Sequence, residues 1–173
     1  TLFSGIMSDL FPGIERPKVD YGDLMKAITY CAEQKGLQPV PIFLTKCRQL
    51  YETIVVRHGL MVVGPTGGGK SCIIDVLKES LSLMAHKGKT GPKVDNVLTY
   101  FINPKSITMG QLYGEFDPNT HEWQDGILAG MVRLCADSNT RDLKWMVFDG
   151  PVDALWIENM NTVLDDNMTL CLA

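Results

Sequence analysis

The sequence predicts an α/β domain, a three-layer sandwich with a mostly parallel central sheet. Three observations predict it. Short apolar runs at residues 60–63, 97–102 and 144–149 lack the polar alternation of a half-exposed strand, so they read as strands covered on both faces. Stretches with apolar residues at helical spacing lie between them. The first run also leads into Gly64-Pro65-Thr66-Gly67-Gly68-Gly69-Lys70-Ser71, with an amphipathic run starting at Cys72 behind it.

That eight-residue string is G-x-x-x-x-G-K-S, the phosphate-binding loop of P-loop NTPases. Its glycines let the backbone turn sharply and bring N–H groups toward phosphate oxygens. The helix behind it begins with unpaired N–H groups and a partial positive charge, both of which favour an anion. Lys70 is expected to reach the β- and γ-phosphates, and the Ser71 hydroxyl to bind Mg²⁺. Residues 64–72 are therefore the expected nucleotide contacts, with ATP or ADP and Mg²⁺ as cofactors.

The remaining elements follow in order. Phe11-Pro12-Gly13 is a turn signal. Asp20 is expected to cap a helix through Leu24, Ile28 and Cys31, which ends at Gly36. Gln38-Pro39-Val40-Pro41 is an extended connector. Two readings of it stay open: it borders the adenine, with Leu37 and Val40 in contact, or it simply joins two helices. Phe43, Leu44, Cys47, Leu50, Tyr51, Ile54 and Val55 form one stripe on a helix over residues 42–57, closed by Arg57-His58-Gly59. Leu60, Met61, Val62 and Val63 form the strand before the loop.

Beyond the loop, Ile73, Leu77, Leu81 and Met84 mark a core-facing helix side. Residues 87–93 form a basic segment, read as a solvated linker or as a contact for phosphate or an acidic partner. A strand over 97–102 stops at Asn103-Pro104, and a short helix over 109–113 follows. Asp117-Pro118-Asn119-Thr120, between aromatic flanks, reads as the turn of a hairpin insertion. Gly126 opens a helix carrying Ile127, Leu128, Met131, Leu134 and Cys135. After the strand ending at Asp149, one helix with Val152, Leu155, Trp156, Met160 and Val163 is expected, then a turn at Asp165-Asp166-Asn167 and an extended segment over 169–172.

Asp149 completes the expected site. In P-loop enzymes an acidic residue at a strand end holds the Mg²⁺ side. The residue after it is Gly150, which has no side chain and cannot activate water. General-base assistance contributes about 10²- to 10⁴-fold in rate. The site is thus expected to bind ATP and turn it over very slowly, with no catalytic residue. Asp153 and Glu115 are weak substitutes, the first falling on the next helix and the second in the hairpin.

Composition excludes several classes. At 173 residues the chain suffices for one domain with a core. A net charge of −4 gives no basic surface for nucleic acid or acidic membranes. No apolar run nears the roughly 20 residues of a membrane helix. No signal peptide is evident at Thr1. Five cysteines at wide spacings argue against disulfides or zinc and for free thiols in a reducing compartment. His58, His86 and His121 are scattered, so they are read as structural or surface residues. The Thr1 start and the stop at Ala173 suggest a piece of a longer chain.

The motifs together resemble a known family. Residues 64–71, then Ile102-Asn103-Pro104-Lys105, Leu112-Tyr113-Gly114, Asp117-Pro118-Asn119-Thr120, Glu122-Trp123 and Asp125-Gly126 carry the likeness, and most of all the long run over 147–167 that begins Val147-Phe148-Asp149-Gly150-Pro151. They look like the second AAA+ module of a dynein heavy chain. Gly67-Gly68-Gly69 and Gly150-Pro151 look more like the axonemal branch. The resemblance implies a large α/β subdomain over 37–173, with residues 1–36 as a helical lead-in from the preceding module. It implies ATP bound without appreciable hydrolysis, and neighbouring AAA+ modules of the same heavy chain as partners. Through the whole motor it implies microtubules and dynein intermediate and light chains, in the axoneme of a cilium or flagellum. The sensor strand, lid and arginine finger are expected beyond Ala173. An independent P-loop ATPase or kinase, and a relict interaction module without nucleotide, are the alternatives.

Overall fold

A computed structural model describes residues 6–7, 9–14, 20–164, 169–170 and 172. Among the described residues its principal helices and strands, in chain order, are α1 (Gly22–Gln34), α2 (Pro41–Val56), α3 (Lys70–His86), β1 (Val97–Ile102), α4 (Met109–Tyr113), β2 (Gly114–Phe116), β3 (Trp123–Asp125), α5 (Ile127–Ala136), β4 (Leu143–Phe148), α6 (Ala154–Glu158) and α7 (Asn161–Leu164). A 3-10 turn at Pro104–Ser106 follows β1.

The helices start and stop where local chemistry dictates. The Asp20 carboxylate accepts from the Gly22 N–H at 2.8 Å, so Asp20 serves the start of α1 from one position before its N-cap, Tyr21. Gly36 and Gly88 take left-handed conformations (φ 69° and 68°) just past α1 and α3. Each end carries the paired backbone bonds of a Schellman motif: Leu37 N–H to Ala32 O and Gly36 N–H to Glu33 O, then Lys89 N–H to Met84 O and Gly88 N–H to Ala85 O. Pro41 sits in the first turn of α2, where its missing N–H costs nothing. Thr108 and Gln111 form a reciprocal capping box on α4. The turn expected at Phe11-Pro12-Gly13 is present, with Gly13 at φ 76°.

β1 and β4 pair in parallel, from Val97 opposite Leu143 to Ile102 opposite Phe148. Odd-numbered and even-numbered residues of a strand point to opposite faces. Val97, Leu143 and Trp145 enter one core with Ile28, Cys47, Leu77 and Leu81 of α1, α2 and α3. Ile102, Met146 and Phe148 enter a second core with Leu112, Leu128 and Trp156 of α4, α5 and α6. The two strands are therefore the middle layer of a helix–sheet–helix sandwich. The hairpin insertion is present as β2 and β3, with Phe116 edge-on to Trp123 at 5.1 Å between ring centroids. The Asp117 side chain shapes its turn by accepting from the N–H groups of Asn119 (2.8 Å) and Thr120 (3.0 Å).

Four expectations differ from the structure. Residues 60–63 form no strand, and among the described residues no strand pairs with them. They are not buried on both faces either: Leu60 and Val62 pack on the first core, whereas Met61 and Val63 are exposed. Gly59 is not a left-handed helix cap; its place is a close approach, since a Cβ there would collide with Leu164 Cδ2. The single helix expected after Asp149 is two short ones, parted at Asn159 and Met160, where Met160 N–H bonds three residues back to Ile157 O. The basic segment 87–93 is not merely solvated. Lys89 pairs with Asp23 at 2.8 Å, Lys87 lies 5.7 Å from the Tyr30 ring centre, and Pro92 O accepts from the Tyr51 hydroxyl. The turn expected at Asp165-Asp166-Asn167 lies outside the described residues.

Candidate functional site

The loop over residues 64–69 connects the apolar segment 60–63 to α3. Two of its residues use the freedom that only glycine has: Gly67 at φ 76° and Gly69 at φ 81°. Gly68 is needed for space, because a Cβ there would stand 3.0 Å from Pro65 O. The Gly68 N–H bonds to that same oxygen at 3.1 Å, which closes the loop on itself. Gly69 is the N-cap of α3, and no side chain caps the helix there, so its first N–H groups face the loop. Lys70 folds along the loop and its ammonium donates to Gly64 O at 2.9 Å and Pro65 O at 2.8 Å. A concave loop of backbone donors, with a lysine across it and a 17-residue helix behind it, has the geometry of a phosphate cradle. The fit to a nucleotide's phosphates is good, since side chains at 67, 68 or 69 would fill or strain this cradle.

Ser71 lies exposed in the first turn of α3, and Cys72 beside it is half-buried. Leu37 is partly buried against the first core, and Val40 is the exposed N-cap of α2. Asp149 follows β4 directly. Its N–H donates to Ile102 O at 2.9 Å, which extends the parallel ladder by one bond and fixes the residue at the carboxyl end of the sheet. Its side chain is exposed, and no hydrogen bond or ion pair joins it to Lys70 or Ser71. Beside the site, His58 Nε2 is 2.9 Å from Val163 O, and Leu164 packs on Gly59. Among the described residues no group of three or more His, Cys, Asp or Glu converges as a metal cage. Ser71 and Asp149 offer the hard oxygen donors Mg²⁺ prefers, and such an ion ordinarily arrives with phosphate oxygens rather than in an all-protein cage.

Asp153 is engaged elsewhere. It caps α6 by accepting from the Leu155 N–H at 3.1 Å, and its other oxygen pairs with Lys105. The Lys105 ammonium, and then the Leu155 N–H, hold its carboxyl below the usual range. Glu115 lies on β2 opposite Gln124 in the hairpin. Sequence reasoning missed Asn103. Its Oδ1 accepts from the Lys105 N–H at 3.0 Å, and a Cβ on Gly150 would stand 2.9 Å from that oxygen. The available signal was an Asn-Pro pair at the carboxyl end of a strand, where a short amide caps the turn.

Residues 1–71 match the model of a family described as the hydrolytic ATP binding site of the dynein motor region. The match ends at Ser71 and does not reach Asp149 or Gly150. Over 173 residues, 99% of its length, the chain is 57% identical to dynein axonemal heavy chain 1 of Mus musculus. This chain belongs to the axonemal dynein heavy-chain family. It is also 53% identical over 172 residues to dynein axonemal heavy chain 6, and 52% identical over 171 residues to dynein axonemal heavy chain 12, both of Homo sapiens. The segment spans 4% of heavy chains 1 and 6 and 6% of heavy chain 12. The α/β architecture with its parallel strand pair is that of an AAA+ P-loop module.

Proposed function

We propose that this dynein segment is a nucleotide-holding module: it binds ATP or ADP with Mg²⁺ and hydrolyses ATP poorly or not at all. The observation that carries the reading is an intact phosphate-loop motif in a chain whose strand β4 runs into Asp149-Gly150, with no side chain after the acidic residue. In this reading the backbone of residues 64–69 and the first turn of α3, with Cys72, hold the phosphates. Lys70 exchanges its bonds to Gly64 O and Pro65 O for phosphate oxygens. Ser71 and Asp149 lie on the Mg²⁺ side, and Leu37 and Val40 border the base. The cation, when bound, neutralises phosphate charge.

Residues 1–36 act as the lead-in from a preceding module and 37–173 as the large subdomain. Through the whole heavy chain the module acts beside neighbouring AAA+ modules in a motor on microtubules, with intermediate and light chains, in the axoneme. Bound ATP then works as a structural ligand that stabilises the folded module by linkage.

One observation favours a second reading, hydrolysis at this site: the matched family model is described as hydrolytic. That match covers the loop and stops short of the residues that would activate water, so it bears on binding rather than on turnover. Binding is tested by calorimetric titration with Mg-ATP. Native protein is expected to bind, and Lys70→Ala to bind about 10- to 100-fold more weakly, as befits a charge-assisted phosphate contact. Equal affinity for the two forms would contradict the assignment of the loop.

A further inference from the structure

The geometry points to Asn103 as the residue that keeps position 150 without a side chain, so that the site is closed to a water-activating carboxylate by its neighbour as well as by its own glycine. The inference rests on the reading of residue 150 as the water-activating position. Gly150 is not required by its backbone: its φ lies outside the left-handed region that favours glycine. Space is what is lacking. A Cβ at 150 would stand 2.9 Å from Asn103 Oδ1, closer than carbon and oxygen approach without something shifting. The next nearest atom is Pro104 Cδ at 3.4 Å, which is ordinary contact.

Rotating the Asn103 amide away breaks a bond, because its Oδ1 holds the Lys105 N–H (3.0 Å). Its backbone oxygen accepts from the Ser106 N–H (3.1 Å) and the Ser106 hydroxyl (2.8 Å), which fixes the turn that carries the amide. The turn so formed is tied to the start of α6 by the Lys105–Asp153 pair, while Asp153 caps α6 and the Asp149 N–H bonds to Ile102 O. The segments on either side of Gly150 are thus fixed against the strand end that carries Asn103. A side chain at 150 must displace the amide, break its cap on Lys105 N–H, or push 149–153 off the sheet. Asn103 is accordingly a positioning residue: it touches no substrate and acts through residue 150.

The test uses the full-length protein with its other nucleotide sites disabled and compares native, Gly150→Glu, Asn103→Ala and the double variant. In single-turnover hydrolysis of Mg-ATP, Gly150→Glu alone is expected to stay within about threefold of native, and the double variant to rise by about 10²-fold, the lower end of general-base assistance. Asn103→Ala alone leaves turnover unchanged. A rise in Gly150→Glu equal to that of the double, or no rise in the double, overturns the inference.

A second measurement needs no nucleotide and no chemistry. In hydrogen exchange, Gly150→Ala is expected to speed exchange of the Asp149 and Leu155 amides about tenfold or more when Asn103 is present, and less than about threefold in the Asn103→Ala background. Equal acceleration in both backgrounds overturns the inference. Fast turnover by native protein would instead refute the proposed nucleotide-holding function, and the exchange result would then decide the role of Asn103 by itself.

Discussion

At the residue scale, the site depends on a few side chains whose partners are already fixed. Asp153 shows how. A depressed carboxyl pKa means that the ionised form is favoured in the folded state, so its contribution is present above the ordinary value of 3.8 and is lost as pH falls below it. The same sign applies to Asp117, held low by the N–H groups of Thr120 and Asn119 in the hairpin turn. Both side chains are solvent-accessible, so the effects are local. Acid titration followed by NMR should show the Leu155 and Asn119 amides moving together with their carboxylates below pH 3.8, and Asp153→Asn should loosen the Lys105 contact already at neutral pH. Cys47 makes the complementary case. It has no exposed surface, and burial pushes its thiol up to about 12. Its thiol should therefore stay unmodified by iodoacetamide in native protein at pH 8 and react only after unfolding, as read by mass spectrometry. The residue scale is also where sequence reading was most uneven. The left-handed turns at Gly67 and Gly69 and the helix start at Lys70 were legible because the motif encodes backbone conformations at fixed spacing. Asn103 was not, because its effect depends on a contact across 47 positions that no local pattern carries.

At the element scale, the hairpin and the helix ends were legible for similar reasons. Turn residues, caps and stripes are local chemistry, so β1, β4, α4, α5 and the hairpin fall where periodicity put them. The segment 60–63 was not legible as it stands. Its apolar residues match a buried strand, but a strand is a pairwise object, and without a neighbour the segment makes no ladder and leaves Met61 and Val63 exposed. The break between α6 and α7 was missed because the apolar spacing runs through it, whereas the hydrogen bonds tighten at Met160. The hairpin offers a direct check on its packing. Trp123 stacks edge-on with Phe116 and donates from Nε1 to Asp125 at 2.8 Å. Trp123→Ala should remove about 0.5–1.5 kcal/mol of aromatic pairing. It should speed limited proteolysis within residues 114–125 and leave the affinity of the phosphate loop for Mg-ATP unchanged.

At the scale of the whole molecule, two cores hold the sandwich, one on each face of the β1–β4 pair. Leu77 and Leu81 of α3 are fully buried in the first, so the helix that carries the phosphate loop is anchored by packing and not only by its N-terminal hydrogen bonds. Leu77→Ala should cost about 2–5 kcal/mol, the range for a truncated core leucine, in denaturant unfolding. Asp149 is anchored through β4, whose residues reach both cores. The two halves of the site are thus joined through the first core, which α3 and β4 share, and by the His58–Val163 contact. The central claim is that ATP is held here and not spent. The most direct test is single-turnover hydrolysis of Mg-ATP at this site in the full-length protein with every other nucleotide site disabled. Bound ATP is expected to persist uncleaved for many minutes, and turnover near about one per second, within the ordinary range of enzymes, would contradict a holding role.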